Sequence, residues 1–152
     1  MNSHVIEPEV IVGLGDNTEM DQTQHPPLVT ELHIELEDWL GDDLLETFPC
    51  YLATDALAAG LQKEGFSGFE VADVELTLGE YFENNYHLAK PIPTFKWLKI
   101  KGKIESDDFS LTDKMKLCIS ERAWLYIKNN FAVQYARIDA SNDLDDLFEG
   151  VL

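Results

Sequence analysis

The chain has 152 residues, 45% of them apolar and 11% aromatic, and it sets 29 carboxylates against 11 lysines and arginines for a formal charge of −18. That length and apolar content fit one folded domain and exclude a disordered acidic chain. A field of this sign repels nucleic acid and anionic membrane surfaces and draws in basic partners.

The acidity is uneven. Residues 1–62 hold thirteen carboxylates and no lysine or arginine, so all eleven bases follow from Lys63 onward. Within this half, residues 10–15 form a short apolar run ending in Gly13-Leu14-Gly15. Thr18 stands where a dinucleotide fingerprint needs its third glycine and no lysine is near for a P-loop, so the glycines predict a turn. Residues 16–27 are polar and contain proline, which predicts a loop or loose arm. The expected organisation is an N-terminal strand and loose arm over 1–27, a core domain over 28–140 and an acidic amphipathic tail over 141–152.

From Leu28 the pattern alternates as in a strand, with Leu32, Ile34 and Leu36 on one face and His33, Glu35 and Glu37 on the other, ending at Trp39. Residues 42–49 are expected to be a connection. Residues 69–78 alternate again, placing Val74, Leu76 and Leu78 together, and residues 95–104 form a third strand carrying Lys96, Lys99, Lys101 and Lys103. Those lysines are expected to balance neighbouring acidic strands and to discourage edge pairing, rather than to bind phosphates. At the C-terminus, Leu144, Leu147 and Phe148 recur at helical spacing among acids, a segment that docks on the protein's own core or on a partner.

One pattern occurs twice. Cys50-Tyr51-Leu52-Ala53 leads into Thr54-Asp55, and Leu117-Cys118-Ile119 leads into Ser120-Glu121. In each, an apolar strand ends at a hydroxyl suited to cap a helix, and an acid follows in the first turn where the helix dipole favours it. The apolar stripes correspond, Leu57, Ala58 and Leu61 matching Ala123, Trp124 and Ile127. Gly65 is the expected C-terminal cap of the first helix and Asn129 or Asn130 of the second. A strand is expected after each, over 66–71 and 131–138, giving a repeated strand, helix, strand unit.

Chemistry-bearing residues are sparse. Cys50 and Cys118 sit in apolar strand contexts and read as buried thiols rather than a disulfide or metal pair. His33, Glu35 and Glu37 share a strand face, which is more economically an exposed acidic face than a cation site. Asp42-Asp43 and Asp107-Asp108 read as turn aspartates beside strands, not acid and base pairs. His87 has no convergent partner, and the spacing of Asp143, Asp145 and Asp146 lacks the loop glycine of a calcium site. No metal, nucleotide or other cofactor is expected. No run reaches the length of a membrane helix and no signal peptide begins the chain, so the expected location is the cytoplasm.

The stretch Gly41-Asp42-Asp43-Leu44-Leu45-Glu46-Thr47-Phe48-Pro49-Cys50-Tyr51-Leu52-Ala53-Thr54, continuing at Gly65-Phe66-Ser67-Gly68-Phe69-Glu70-Val71, and the later Lys116-Leu117-Cys118-Ile119-Ser120-Glu121-Arg122-Ala123, resemble segments of bacterial immunity proteins from polymorphic toxin systems. The first copy carries Thr54-Asp55-Ala56 where the second carries Ser120-Glu121-Arg122. The resemblance implies a small cytoplasmic protein that binds and blocks a sibling toxin.

The fold expected is α+β, largely antiparallel, with two or three helices packed on one sheet. The function expected is that of an immunity protein, not an enzyme, which neutralises a cognate toxin by occluding a basic active-site cleft. The contact residues expected are Glu35, Glu37, Asp38, Trp39, Asp42, Asp43 and Glu46, dense in charge with one aromatic anchor. The competing expectation is an acidic nucleic-acid mimic that inhibits a DNA-binding host protein. Neither reading calls for nucleic acid or a membrane as partner, and the oligomeric state stays open.

Overall fold

The computed structural model describes residues 2–24 and 27–139; the sequence-predicted tail over 141–152 lies outside the described residues. In chain order the elements are β1 (Ser3–Glu7), β2 (Val12–Leu14), β3 (Glu19–Asp21), β4 (Leu28–Glu31), β5 (His33–Leu36), β6 (Leu44–Thr47), β7 (Cys50–Thr54), α1 (Asp55–Lys63), β8 (Phe69–Ala72), β9 (Glu75–Leu78), α2 (Phe82–Asn85), β10 (Phe95–Ile100), β11 (Phe109–Leu111), β12 (Leu117–Ser120), α3 (Glu121–Asn130) and β13 (Arg137–Ile138). The fold is α+β and mostly antiparallel, the exceptions being the parallel pair β5 and β9 and a parallel bridge between Glu9 and Leu45.

Two four-stranded sheets share one design. The first runs β6-β7-β10-β8 and the second β11-β12-β1-β13, every neighbouring pair being antiparallel. Each begins with a hairpin, closed by Thr54 N–H donating to Asp43 O at 2.9 Å in one and Ser120 N–H donating to Asp108 O at 2.7 Å in the other. Each hairpin runs directly into a helix, α1 or α3, and the strand after the helix takes the far edge of the same sheet. The repeated unit is therefore hairpin, helix, strand, one strand longer than the pattern read from the sequence. Residues 42–49 are not a mere connection, because β6 lies within them. The strand expected over 131–138 shortens to β13, because Phe131 to Ala136 is spent on a turn fastened by Asp42 and Asp43.

Both helices form as their sequences dictate. Thr54 Oγ1 accepts from Leu57 N–H and Ser120 Oγ from Ala123 N–H, each at 3.3 Å, and Asp55 and Glu121 sit in the first turns. At nine and ten residues neither is long enough to persist alone, so tertiary burial of the stripes holds them. Leu57, Ala58 and Leu61 meet Ala123, Trp124 and Ile127 in one cluster with Ile6, Leu98, Phe109, Leu117 and Ile119. Fully burying one such large side chain stabilises by about 2 kcal/mol. Gly65, at φ 75°, follows α1 as expected, whereas α3 runs through Asn130 and ends at the extended Phe131, with Asn130 Nδ2 donating back to Tyr126 O.

The helices do not pack on one sheet, as the sequence led us to expect. The sheet β6-β7-β10-β8 is covered on both faces: Tyr51, Ala53 and Leu98 face the helices, while Leu45, Leu52, Phe95 and Trp97 face a third sheet, β2-β5-β9. That double burial explains why all five residues of β7 are buried and why its sequence reads as a continuous apolar run instead of alternating. The third sheet contributes Val12, Ile34 and Leu36 to this second core, with Trp39 and Phe82. Residues 1–27 are not a loose arm throughout. β1 is an interior strand with Ile6 fully buried, and β3 pairs with β4 as a small hairpin.

Where the two four-stranded sheets meet, backbones cross without room for side chains. Gly68 O accepts from Lys101 and Gly102 N–H, Ser67 O accepts from Phe109 N–H, and a Cβ on Gly102 would stand 1.9 Å from Phe109 O. Gly15 meets a similar demand, because its Cβ would fall 2.2 Å from the ring of His33. The pair Gly13 and Gly15 is thus explained by strand β2 and a turn over a buried imidazole, as the sequence reading held for the turn.

Candidate protein-binding site

The two base-free stretches of the sequence come together in space. Residues 64–89 contain six carboxylates and no lysine or arginine, and they supply β9, while residues 1–62 supply β2 and β5. The sheet β2-β5-β9 therefore carries no base in any strand but histidine. Its inner face holds Val12, Leu14, Ile34, Leu36 and Leu76; its outer face presents Gly13, Glu35 and Thr77 side by side, with His33 opposite Glu75 at one end. Glu35 stands between two small residues, and nothing approaches the Cβ position of Gly13. Glu37 and Glu75 are exposed, and Asn17 Nδ2 donates to both oxygens of Glu75 at 3.1 Å. Asp73 beside this sheet is held by Lys96 Nζ of β10 at 2.7 Å, and Glu70 of β8 by Lys101 Nζ, just past β10, at 2.8 Å, so two of the four lysines over 95–104 pair with neighbouring acids.

His33 is not part of a cation site with Glu35 and Glu37. It is 8% exposed, its Nδ1 accepts from Asn17 N–H at 3.1 Å, and its Nε2 lies 2.8 Å from Thr77 Oγ1. The acceptor role of Nδ1 assigns the neutral tautomer with the proton on Nε2. Among the described residues no group of three or more histidines, cysteines or carboxylates is arranged to hold a metal ion.

The sequence-predicted contact residues are split by the fold. Glu35 and Glu37 reach the outer face of the acidic sheet. Asp38 is half-buried and accepts from Trp39 N–H at 2.7 Å. Trp39 is 8% exposed, packs edge-on against Phe95 with centroids 6.3 Å apart, and donates its indole N–H to Asp42 O at 2.9 Å. Asp42 is 1% exposed, its two oxygens accepting from Gln134 and Tyr135 N–H. Asp43 is half-buried and accepts from Thr54 Oγ1–H at 2.6 Å and from Ala132 N–H at 2.8 Å. Asp42 thus serves the interior, and Trp39 is too buried to insert into a partner as an anchor, keeping only an edge on a cavity it lines with Asp43 and Thr54; a loop aspartate next to an aromatic has the same sequence signature buried or exposed.

Glu46 opens instead onto a cleft of about 760 Å³ between β1, β6 and the turn before β12. Glu7, Glu9 and Glu46 line it with Tyr51, Lys114, Lys116 and Arg137, while Val10, Phe48 and Tyr135, all largely exposed, stand at its rim. Burial first, then the charges of Asp42 and Asp38, push Glu9 up to about 7, and one of its oxygens is buried without a partner among the described residues. Burial and the charge of Glu7 raise Glu46 as well. Lys116 is occupied, bridging Asp139 at 2.6 Å and Glu7 at 3.3 Å. Glu7 and Glu9 were invisible as site residues in the sequence; an acid alternating with buried residues in 6–9 was the available signal.

Both thiols and the Tyr51 phenol lie buried. Cys50 and Cys118 are buried and unpaired in β7 and β12, and burial pushes the Cys50 thiol up to about 12. The Tyr51 phenol is likewise raised, by burial and then Glu46, and donates to Met115 O at 2.9 Å. The arrangement offers exposed and half-exposed carboxylates on one sheet, a surface suited to cations, and a separate rimmed cleft that mixes carboxylates with lysine and arginine. Among the described residues no helix is long and apolar enough to cross a membrane. Comparison with protein-family models, with curated proteins and with solved structures finds no match to this chain.

Proposed function

We propose that this chain is a stoichiometric inhibitor of a basic protein and, in the reading its sequence resemblance favours, an immunity protein that neutralises a cognate antibacterial toxin by occluding a basic active-site cleft. The observation that carries the binding reading is the assembly of both base-free stretches into one sheet whose carboxylates, the half-buried Glu35 and the exposed Glu37 and Glu75, meet no lysine or arginine in its strands. A surface of one sign raises the rate of encounter with an opposite one. The rim of Val10, Phe48 and Tyr135 around a cleft of mixed charge supplies the apolar contact that charge alone lacks.

The test is capture on the immobilised chain followed by mass spectrometry and an activity assay of the captured protein. The expected result is one basic protein bound one to one, released by salt, and inactive while bound. Capture of no basic protein, or of one that stays fully active in the complex, counts against inhibition.

A further inference from the structure

The two repeated units carry the same carboxylate in the same place, and one difference between them exposes a vacancy in chemistry rather than in packing. In the second unit, Asp108 Oδ1 accepts from the capping hydroxyl of Ser120 at 2.6 Å and Oδ2 from Ser67 N–H at 3.0 Å. In the first, Asp43 Oδ1 accepts from the capping hydroxyl of Thr54 at 2.6 Å and Oδ2 from Ala132 N–H at 2.8 Å. Ser67 follows α1 and Ala132 follows α3, so each carboxylate ties its own helix start to the turn after the other unit's helix.

Asp108 has a further partner. Arg122, two residues after the cap, donates Nε to Oδ1 at 3.0 Å and Nη2 to Oδ2 at 2.9 Å, a two-pronged pair, and its guanidinium lies 4.9 Å from the ring centre of Phe66. The residue two after Thr54 is Ala56, which is exposed and too short to reach back. Over Asp43 there is instead a cavity of about 350 Å³, walled by Thr54, Asp55, Ala56, Thr94 and Trp39. Its size is that of a small ligand pocket.

Among the described residues no lysine or arginine lines this cavity. The chain has two arginines, Arg122 on Asp108 and Arg137 at the cleft, and residues 140–152 contain neither lysine nor arginine. Lys96, its pKa raised by Asp73 and in smaller part by Asp55, is held by Asp73. We infer that the cavity over Asp43 receives the guanidinium of an arginine presented by a basic protein partner, in the place that Arg122 takes on Asp108. This deepens, and rests on, the reading of the chain as a binder of basic protein. A planar fork suits a carboxylate whose two oxygens are each already fixed by one donor, and the second carboxylate, Asp55, and the aromatic wall of Trp39 both favour a delocalised cation over an anion.

The experiment is a two-dimensional amide NMR titration with the blocked tripeptide acetyl-Gly-Arg-Gly-amide and its lysine counterpart, on the wild-type chain and on Ala56→Arg and Ala56→Gln. The arginine peptide is expected to shift the amides of Thr54, Asp55, Ala56 and Ala132, with the lysine peptide weaker by about tenfold, the loss of a charge-assisted hydrogen bond. Ala56→Arg supplies the group from within, as Arg122 does, and is expected to abolish those shifts and raise the melting temperature, while Ala56→Gln leaves both near wild type. No shift at these amides at tens of millimolar peptide overturns the inference, and so does undiminished binding by Ala56→Arg. A basic partner captured equally by wild type and Ala56→Arg overturns the pocket while sparing the proposed function. Peptide binding lost in Ala56→Arg, with capture of that partner weakened in parallel, supports both.

Discussion

Glu9 is a carboxylate at the boundary between holding and releasing its proton near neutral pH. Its acid constant lies near 7 because the side chain is partly withdrawn from water and faces the charges of Asp42 and Asp38. The folded state therefore binds a proton that the unfolded chain, with an ordinary value near 4.5, has given up. The stability Glu9 contributes is present below about 4.5 and is lost as pH rises through about 7. Glu9→Gln should thus leave stability at pH 4.5 nearly unchanged and raise it at pH 8 by about 1 kcal/mol, a value below the full shift because the side chain is partly solvated. Denaturant titrations at the two pH values measure it, and equal effects at both would sink the assignment. Asp108 works in the opposite sense. Burial opposes its ionisation, but Arg122, Ser120 and Ser67 outweigh that and hold it down to about 2, so its contribution is present above about 3.8 and is lost as pH falls from there through about 2. Trp39 belongs to the same scale. Its burial against Phe95 and its bond to Asp42 O predict that Trp39→Ala costs about 4 kcal/mol in a melt. An unchanged melting temperature would move this side chain from core to interface.

At the scale of elements, the repeat was legible because a hydroxyl cap, an acid in the first turn and an apolar stripe are local signals. Each depends on residues within one helical turn, and Thr54 with Leu57 and Ser120 with Ala123 realise them. Strand β6 escaped notice because a four-residue strand, Leu44 to Thr47, set between two aspartates and Phe48-Pro49 looks like a loop until its partner β7 is known. The interior position of β1 was hidden for a related reason: its partners β12 and β13 lie more than a hundred residues away. The notion of one long strand through 69–78 failed because alternation continues across Asp73 and Val74 although β8 and β9 belong to different sheets. The candidate site divided along the same line. Glu35 and Glu37 followed from alternation, whereas Asp42 and Asp43 are contacts made by the distant turn over 132–135. The two caps are also unequal. Removing either hydroxyl costs about 1 kcal/mol of capping, but Ser120→Ala also strips a donor from a carboxylate 2% exposed, while the half-buried Asp43 can turn to water. Ser120→Ala should therefore destabilise more than Thr54→Ala in urea titrations, and the reverse order would show that Arg122 alone suffices to satisfy Asp108.

The whole molecule carries its charge as a gradient that folding converts into a side. Sequence position alone put no base before Lys63; topology then brought residues 64–89, also base-free, against that half to build one sheet, while Lys96 and Lys101 were spent on Asp73 and Glu70. Such a side acts before contact, because attraction at distances near the Debye length, about 8 Å at physiological salt, orients a basic partner during its approach. Apolar contacts at the cleft rim act after it and govern release. The triple reversal Glu35→Lys, Glu37→Lys and Glu75→Lys changes the charge by six units on exposed or half-exposed positions, none of which fills the core. For a captured basic partner it should lower kon by about tenfold or more at low salt and flatten the salt dependence of kon, with koff little altered. Phe48→Ala, at a residue 58% exposed on the cleft rim, should do the converse and raise koff with kon unchanged. Stopped-flow association at two ionic strengths separates the two. If the triple reversal leaves kon and its salt dependence untouched, the base-free sheet is not the side that meets the partner.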